Sequence, residues 1–206
     1  MKLFYNFLMI SMIVIYFPFS TYGTTIENDT LRNESIPYSY FEFNSNGFTD
    51  YVVTECDTLS ARDIFWKTVD WINKTYNNPN EVLLTQVEGD YLIFRGIAPN
   101  MVYLKSMGSK LFYSVRYRVI ISFKEGRYKF DVDTLEMCNT NPNINPVWTE
   151  LGISKGSIDF LYNTKNGEIQ KIFQNYEIAI PEFFNKLNRN LRDYILNIDN
   201  SKKDDW

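Results

Sequence analysis

From Leu111 to Phe123 the chain alternates with a period of two. Leu111, Tyr113, Val115, Tyr117, Val119, Ile121 and Phe123 interleave with Ser114, Arg116, Arg118, Ser122 and Lys124. That pattern predicts a long strand with one face buried and one face in water. Glu125-Gly126 then turns the chain, and Tyr128, Phe130 and Val132 continue the apolar face against Lys129, Asp131 and Asp133. A two-residue turn fixes the register, setting Phe123 opposite Tyr128, Ile121 opposite Phe130 and Val119 opposite Val132. The same register sets Arg118 opposite Asp133 with Arg116 within diagonal reach, so the outer face reads as charge-paired.

Upstream, Thr49 to Cys56 reads as a half-buried strand in which Tyr51 and Val53 alternate with polar positions. Ser60 followed three residues later by Asp63 opens a helix running to about Tyr76, with Ile64, Phe65, Thr68, Ile72 and Tyr76 on one face and Trp71 at its edge. Asn77-Asn78-Pro79 stops it. Two strands follow, Val82 to Glu88 and Tyr91 to Ala98, joined at Gly89-Asp90, and then a loop containing Pro99 and Gly108. From Cys138 to about Tyr176 the pattern breaks into Asn- and Pro-rich sequence and short apolar groups, and no elements are assigned. Residues 181–198 form a second amphipathic helix, with Phe184, Leu187, Leu191, Tyr194, Ile195 and Ile198 on its apolar stripe. Residues 201–206 are a polar tail.

The amino end changes the picture of where the chain works. Lys2, an apolar run from Phe7 to Phe17, then Pro18 and small residues up to Gly23 read as a cleavable signal peptide over residues 1–23. The run falls short of the roughly 20 residues that a membrane span needs. The expected location is therefore outside the cytoplasm, periplasmic or extracellular, with no stable membrane span after cleavage. Residues 24–45, rich in Thr, Asn, Glu and Ser, read as a flexible leader, and 46–200 as a single domain. A composition of 45% hydrophobic and 17% aromatic residues supports a sizeable core.

Candidate chemistry is thin. The chain has no histidine, which removes the commonest general base and most catalytic zinc sites. A formal net charge of -4 argues against nucleic acid as a partner. No metal site, cofactor or catalytic residue is assigned.

The order of elements is strand, helix, four-strand meander, helix, an α+β antiparallel sheet packed against helices. This order, with Ser60-Ala-Arg-Asp-Ile-Phe-Trp-Lys-Thr-Val-Asp-Trp-Ile-Asn-Lys-Thr-Tyr and the long strands around Glu125-Gly126, resembles a family of secreted bacterial proteins known as domain of unknown function 4468, with a fold like the TATA-binding protein. The resemblance spans about residues 49–137. It implies a fold and export, and no catalytic residues. It implies no DNA binding either, since a shared fold does not carry a shared function.

Two classes of function follow from the residues. The leading one is a non-catalytic envelope protein that binds a partner protein or a small apolar ligand, the ligand pocket being lined by Tyr113, Tyr117, Tyr128, Phe184 and Leu191 between the sheet and the last helix. The other is a hydrolase using Asp131 and Asp133, two carboxylates on one strand face. The two cysteines follow the ends of neighbouring antiparallel strands, about 25 Å apart at ~3.3 Å per residue, so two unpaired thiols are expected.

Overall fold

A computed structural model describes residues 40–106, 108–140, 145, 147–154, 156–163 and 165–198. The expected signal peptide, most of the expected leader and the polar tail lie outside the described residues. The chain runs β1 (Phe43–Asn44), β2 (Gly47–Phe48), β3 (Tyr51–Glu55), α1 (Ala61–Thr75), α2 (Pro79–Val82), β4 (Leu83–Val87), β5 (Tyr91–Ser106), β6 (Ser109–Lys124), β7 (Arg127–Asn139), β8 (Thr149–Glu150), a 3-10 turn (Asp159–Leu161) and α3 (Tyr176–Ile195). The antiparallel sheet has the order β3-β7-β6-β5-β4, and β8 adds to β7 beside Glu136 and Met137. The first long-range strand therefore closes on the last strand of the meander.

One face of this sheet is the core. Leu92, Phe94, Val119, Ile121, Phe130 and Val52 are fully buried on it. The register Phe123↔Tyr128, Ile121↔Phe130 and Val119↔Val132 is as the turn dictates. Helices α1 and α3 cover this face: Phe65 meets Phe123 edge-on at 5.5 Å, Trp71 meets Phe94 at 6.0 Å, and Phe184 meets Tyr117 at 5.6 Å between ring centroids. Edge-to-face geometry places a positive ring edge on a negative ring face, adding about 0.5–1.5 kcal/mol per pair beyond burial. Helix α1 starts as its cap requires, with the Asp63 amide donating to Ser60 Oγ at 3.1 Å.

The structure corrects five expectations. In β3 the core takes Val52 and Thr54, whereas Tyr51 and Val53, expected on the apolar side, are only half-buried. Phe41 and Phe43, placed by sequence in the leader, belong to the core, where Phe41 stacks on Phe48 at 5.1 Å and meets Phe130 and Phe184. Strand β5 does not end at Pro99. It continues to Ser106 through a bulge between Ala98 and Val102, where Asn100 takes a φ of 53°. A proline is tolerated there because the bulge removes the need for its missing N–H. The last helix begins at Tyr176 and ends at Ile195, with Pro181 inside its second turn, where it deletes one intrahelical bond. Ile198 lies beyond it and is exposed.

The fifth correction concerns charge. A bulge between Arg118 and Val119 gives β7 one extra residue, so Arg118 faces Thr134 and Arg116 faces Glu136. Asp133 is the extra residue.

Candidate functional site

Four of the five residues expected to line a pocket are core residues. Tyr117, Tyr128, Phe184 and Leu191 are each at most 3% exposed, and Tyr113 is half-buried. They touch neighbours on all sides. Tyr117 packs against Phe94, Phe183 and Phe184, and its hydroxyl shares a 2.9 Å hydrogen bond with that of Tyr76. Gly96 stands opposite Tyr117 in the ladder and makes room for its ring. Burial pushes both phenols above the usual tyrosine range.

Tyr128 lies deeper and is satisfied through α3. Its hydroxyl donates to Asn188 Oδ1 at 2.8 Å, and Asn188 Nδ2 donates to Thr54 Oγ1 at 3.2 Å. This links β7, α3 and β3 through buried polar atoms. Among the described residues no buried side-chain nitrogen or oxygen lacks a partner.

The two aspartates expected to act together are separately engaged. Asp131 accepts from Lys129 at 3.2 Å, while Asp133 is held by Arg118 and accepts from Thr134 at 2.8 Å. Each is an ion-pair partner, and the bulge at Asp133 breaks the regular spacing of one face. No group of three or more acidic or cysteine side chains suited to a metal occurs among the described residues.

Two surfaces remain. Among the described residues neither α1 nor α3 packs on the outer face of the sheet. Its rows, read across the register, are Thr85–Ile93–Ile120–Asp131–Tyr51, Arg95–Arg118–Thr134 and Ile97–Arg116–Glu136. Arg116 makes a two-point pair with Glu136 at 2.7 and 2.8 Å, which holds the Glu136 carboxyl below the usual range, and its guanidinium lies 4.6 Å from the Trp148 ring centroid. Such half-exposed pairs contribute about 0–1 kcal/mol to stability. Arg95, directly opposite Arg118, bonds through Nε to the Glu81 carbonyl. A cavity of about 220 Å³ opens between Leu84, Arg95, Arg116, Arg118, Thr134 and Glu136. Ile97, Leu84 and Val87 are exposed by 56%, 44% and 42% along the same side. The sequence held the signal for the arginine row, but only the pairing of β5 with β6 reveals it.

The second surface is a groove of about 500 Å³ beside β3, bounded by Val53, Thr54 and Glu55, by Asn185, Asn188, Arg189 and Arg192 of α3, and by Tyr40. Sequence reasoning missed it: Asn185, Asn188, Arg189 and Arg192 all lie in the helix expected over 181–198, but nothing in its pattern shows which strand edge it flanks.

Both cysteines are free and buried. The Cys56 amide donates to the Gly126 carbonyl at one end of β7, and Cys138 lies at the other, so the 12 residues from Gly126 to Cys138 separate them by about 40 Å at ~3.3 Å per residue.

Residues 51–137 match the family described as a domain of unknown function (DUF4468) with TBP-like fold. Among solved structures, a DUF4468 family protein from Bacteroides ovatus superposes with a TM-score of 0.56 at 11% identity, covering 76% of this chain and 90% of that one. A TBP-like protein from Parabacteroides distasonis gives a TM-score of 0.48 at 15% identity over 71% and 91% of the respective chains. At such identity the Bacteroides likeness is one of fold alone. No curated protein sequence matches.

Proposed function

From the match of residues 51–137 to the family described as a domain of unknown function (DUF4468) with TBP-like fold, we propose that the chain is an exported, non-catalytic envelope protein that binds a partner protein through the outer face of its sheet. The observation that carries this reading is that face itself, which neither α1 nor α3 covers among the described residues. Helices α1 and α3 lie on the opposite side, while Ile97, Leu84 and Val87 stand exposed around Arg95, Arg116 and Arg118. Exposed apolar side chains grouped beside arginines are the composition of a protein-docking patch, since arginine and large apolar groups concentrate at interface centres.

A small apolar ligand fits less well. The inner-face aromatics that would enclose it are packed against one another, and the 220 Å³ outer cavity is ringed by guanidinium groups. Export rests on the signal sequence of residues 1–23. The net charge of -4 supports a protein rather than a nucleic-acid partner.

Site-specific photocrosslinking in the native cell tests this. A photoreactive residue at Ile97 is expected to yield a discrete heavier adduct, and one at the exposed Arg62 of α1 is expected to yield none. Equal labelling from both positions, or none from Ile97, overturns the assignment of the outer face.

A further inference from the structure

We propose that the free edge of β3, with the flank of α3 beside it, is a strand-addition site for an extended peptide carrying carboxylates. The site lies apart from the arginine rows, and its test reads different residues.

The backbone supplies the first argument. Among the described residues β3 is the outermost strand on its side and pairs with β7 alone. The Cys56 amide donates to Gly126 O at 2.6 Å, and the same register continues as Thr54↔Tyr128 and Val52↔Phe130. In an antiparallel ladder, exchanged bonds fall on alternate residues. The N–H and C=O groups of Val52 and Thr54 therefore point to β7, while those of Tyr51, Val53 and Glu55 point to the open side. No hydrogen bond among the described residues reaches those outward backbone groups. Unpaired edge groups of this kind are a template for another strand.

The chain's own neighbouring strand is held off this edge. Strands β1 and β2 pair as Phe43↔Phe48, and the Thr49 amide donates to Glu42 O at 2.9 Å. One residue further back the ladder stops. Asn185 of α3 takes both backbone groups of Phe41, its Oδ1 accepting from the amide at 2.7 Å and its Nδ2 donating to the carbonyl at 2.9 Å. A side-chain amide thus replaces a strand partner, ties residue 41 to the helix and leaves the groove open beside Val53 and Glu55.

Charge selects the occupant. Asn185 and Arg189, and Asn188 and Arg192, are i,i+4 pairs on the flank of α3 that lines the groove. Arg189 has no ion-pair partner among the described residues, and Arg192 bonds to Asp193 Oδ1. Against these two cations the lining holds one acid, Glu55. Main-chain bonds to Val53 and Glu55 would give a peptide its hold, and its carboxylates would meet the guanidinium groups.

The test uses the full chain and a panel of fluorescein-labelled octapeptides alternating Thr with Val, Leu, Phe or Tyr, each made with two Asp, with two Lys, or with a central Pro. Anisotropy is expected to show saturable binding of at least one Asp peptide below about 1 mM and binding about tenfold weaker for its Lys and Pro counterparts. Amide exchange is expected to slow about tenfold at Val53 and Glu55 in the complex, with Val52 and Thr54 unchanged. Arg189→Glu, at an exposed position, is expected to reverse the preference toward the Lys peptide. Three outcomes overturn the proposal: no Asp peptide binds, binding leaves the Val53 and Glu55 amides unaltered, or those amides are already slow in the free chain because it covers its own edge.

Discussion

Replacing Gly96 by alanine adds a single methyl group, and its cost is set by one neighbour. A carbon built on Gly96 overlaps Tyr117 Oη and lies 2.5 Å from Cζ. The ring has little room to yield, because Phe94, Phe183 and Phe184 pack around it and Tyr76 holds its hydroxyl. Overpacking of this kind costs about 1–3 kcal/mol. Displacing the phenol also leaves two buried hydroxyls without each other, for about 1–3 kcal/mol. Removing a glycine from a strand returns about 0.5–1 kcal/mol. The net expectation is a loss of about 2–4 kcal/mol, or roughly 4–16 °C in Tm for a domain of this size. Urea unfolding followed by tryptophan fluorescence reads it well, since Trp71 contacts Phe94 beside the site. In a Tyr117→Leu background the obstructing ring is gone, and Gly96→Ala is expected to be neutral or slightly stabilising. A double-mutant cycle therefore carries a coupling of about 2–4 kcal/mol. Equal effects in both backgrounds, or wild-type stability of the single variant, would refute the close contact.

Ser60→Ala removes the acceptor for the Asp63 amide and is expected to cost about 1 kcal/mol, read as a lower urea midpoint with unchanged slope. Asn188→Ala strands the Tyr128 hydroxyl and Thr54 in the interior, for an expected loss of about 1–3 kcal/mol that Tyr128→Phe in the same chain partly relieves. Burial pushes the Cys56 thiol from about 9 to about 11. Because the folded value is the higher one, the associated stability is complete below pH 9 and drains away as pH rises through 11. Urea titrations at intervals across that window should show a decline that Cys56→Ala makes shallower, the remainder belonging to the buried tyrosines. Iodoacetamide at pH 8 should label neither cysteine in the folded protein and both after denaturation, and a recovered peptide joining Cys56 to Cys138 would contradict the strand order.

The central hairpin was legible because a two-residue turn and strict alternation leave one register that buries every apolar side chain. The bulge was written in the same stretch, as a change of phase from Tyr128, Phe130 and Val132 to Leu135 and Met137. Extrapolating the turn register past Val132 missed it, and with it the pairing of Arg116 with Glu136, while the expected pair of Arg118 with Asp133 forms nonetheless. Pro99 and Pro181 misled for a common reason. Each has the local signature of a boundary, but a bulge in β5 and the low cost of one missing bond in the 20-residue α3 absorb them. The site was less legible than the fold. Aromatic side chains on a buried face have the same spacing whether they line a cavity or fill it, and only their mutual contacts distinguish the two. The groove beside β3 depends on Phe41 meeting Asn185, residues 144 positions apart, and no local pattern encodes such a meeting.

The closure of β3 on β7 also sets a timetable for synthesis. Tyr51 pairs with Asp131, so the strand emerges and then waits for 80 further residues (131 − 51) before its partner exists. At about 5–20 residues per second that is a delay of about 4–16 s. Strands β4 to β6 can pair meanwhile and β7 joins them as it emerges, because all four are joined by short turns. The apolar face of this meander is then a finished surface without a cover, and α3 completes that cover only at Ile195, another 64 residues on (195 − 131). A nascent chain of this fold therefore passes through an interval in which a formed sheet shows Phe94, Val119, Ile121 and Phe130 to its surroundings. Chaperone demand should peak between residues 139 and 195, and a chain stopped there is the form most prone to aggregate.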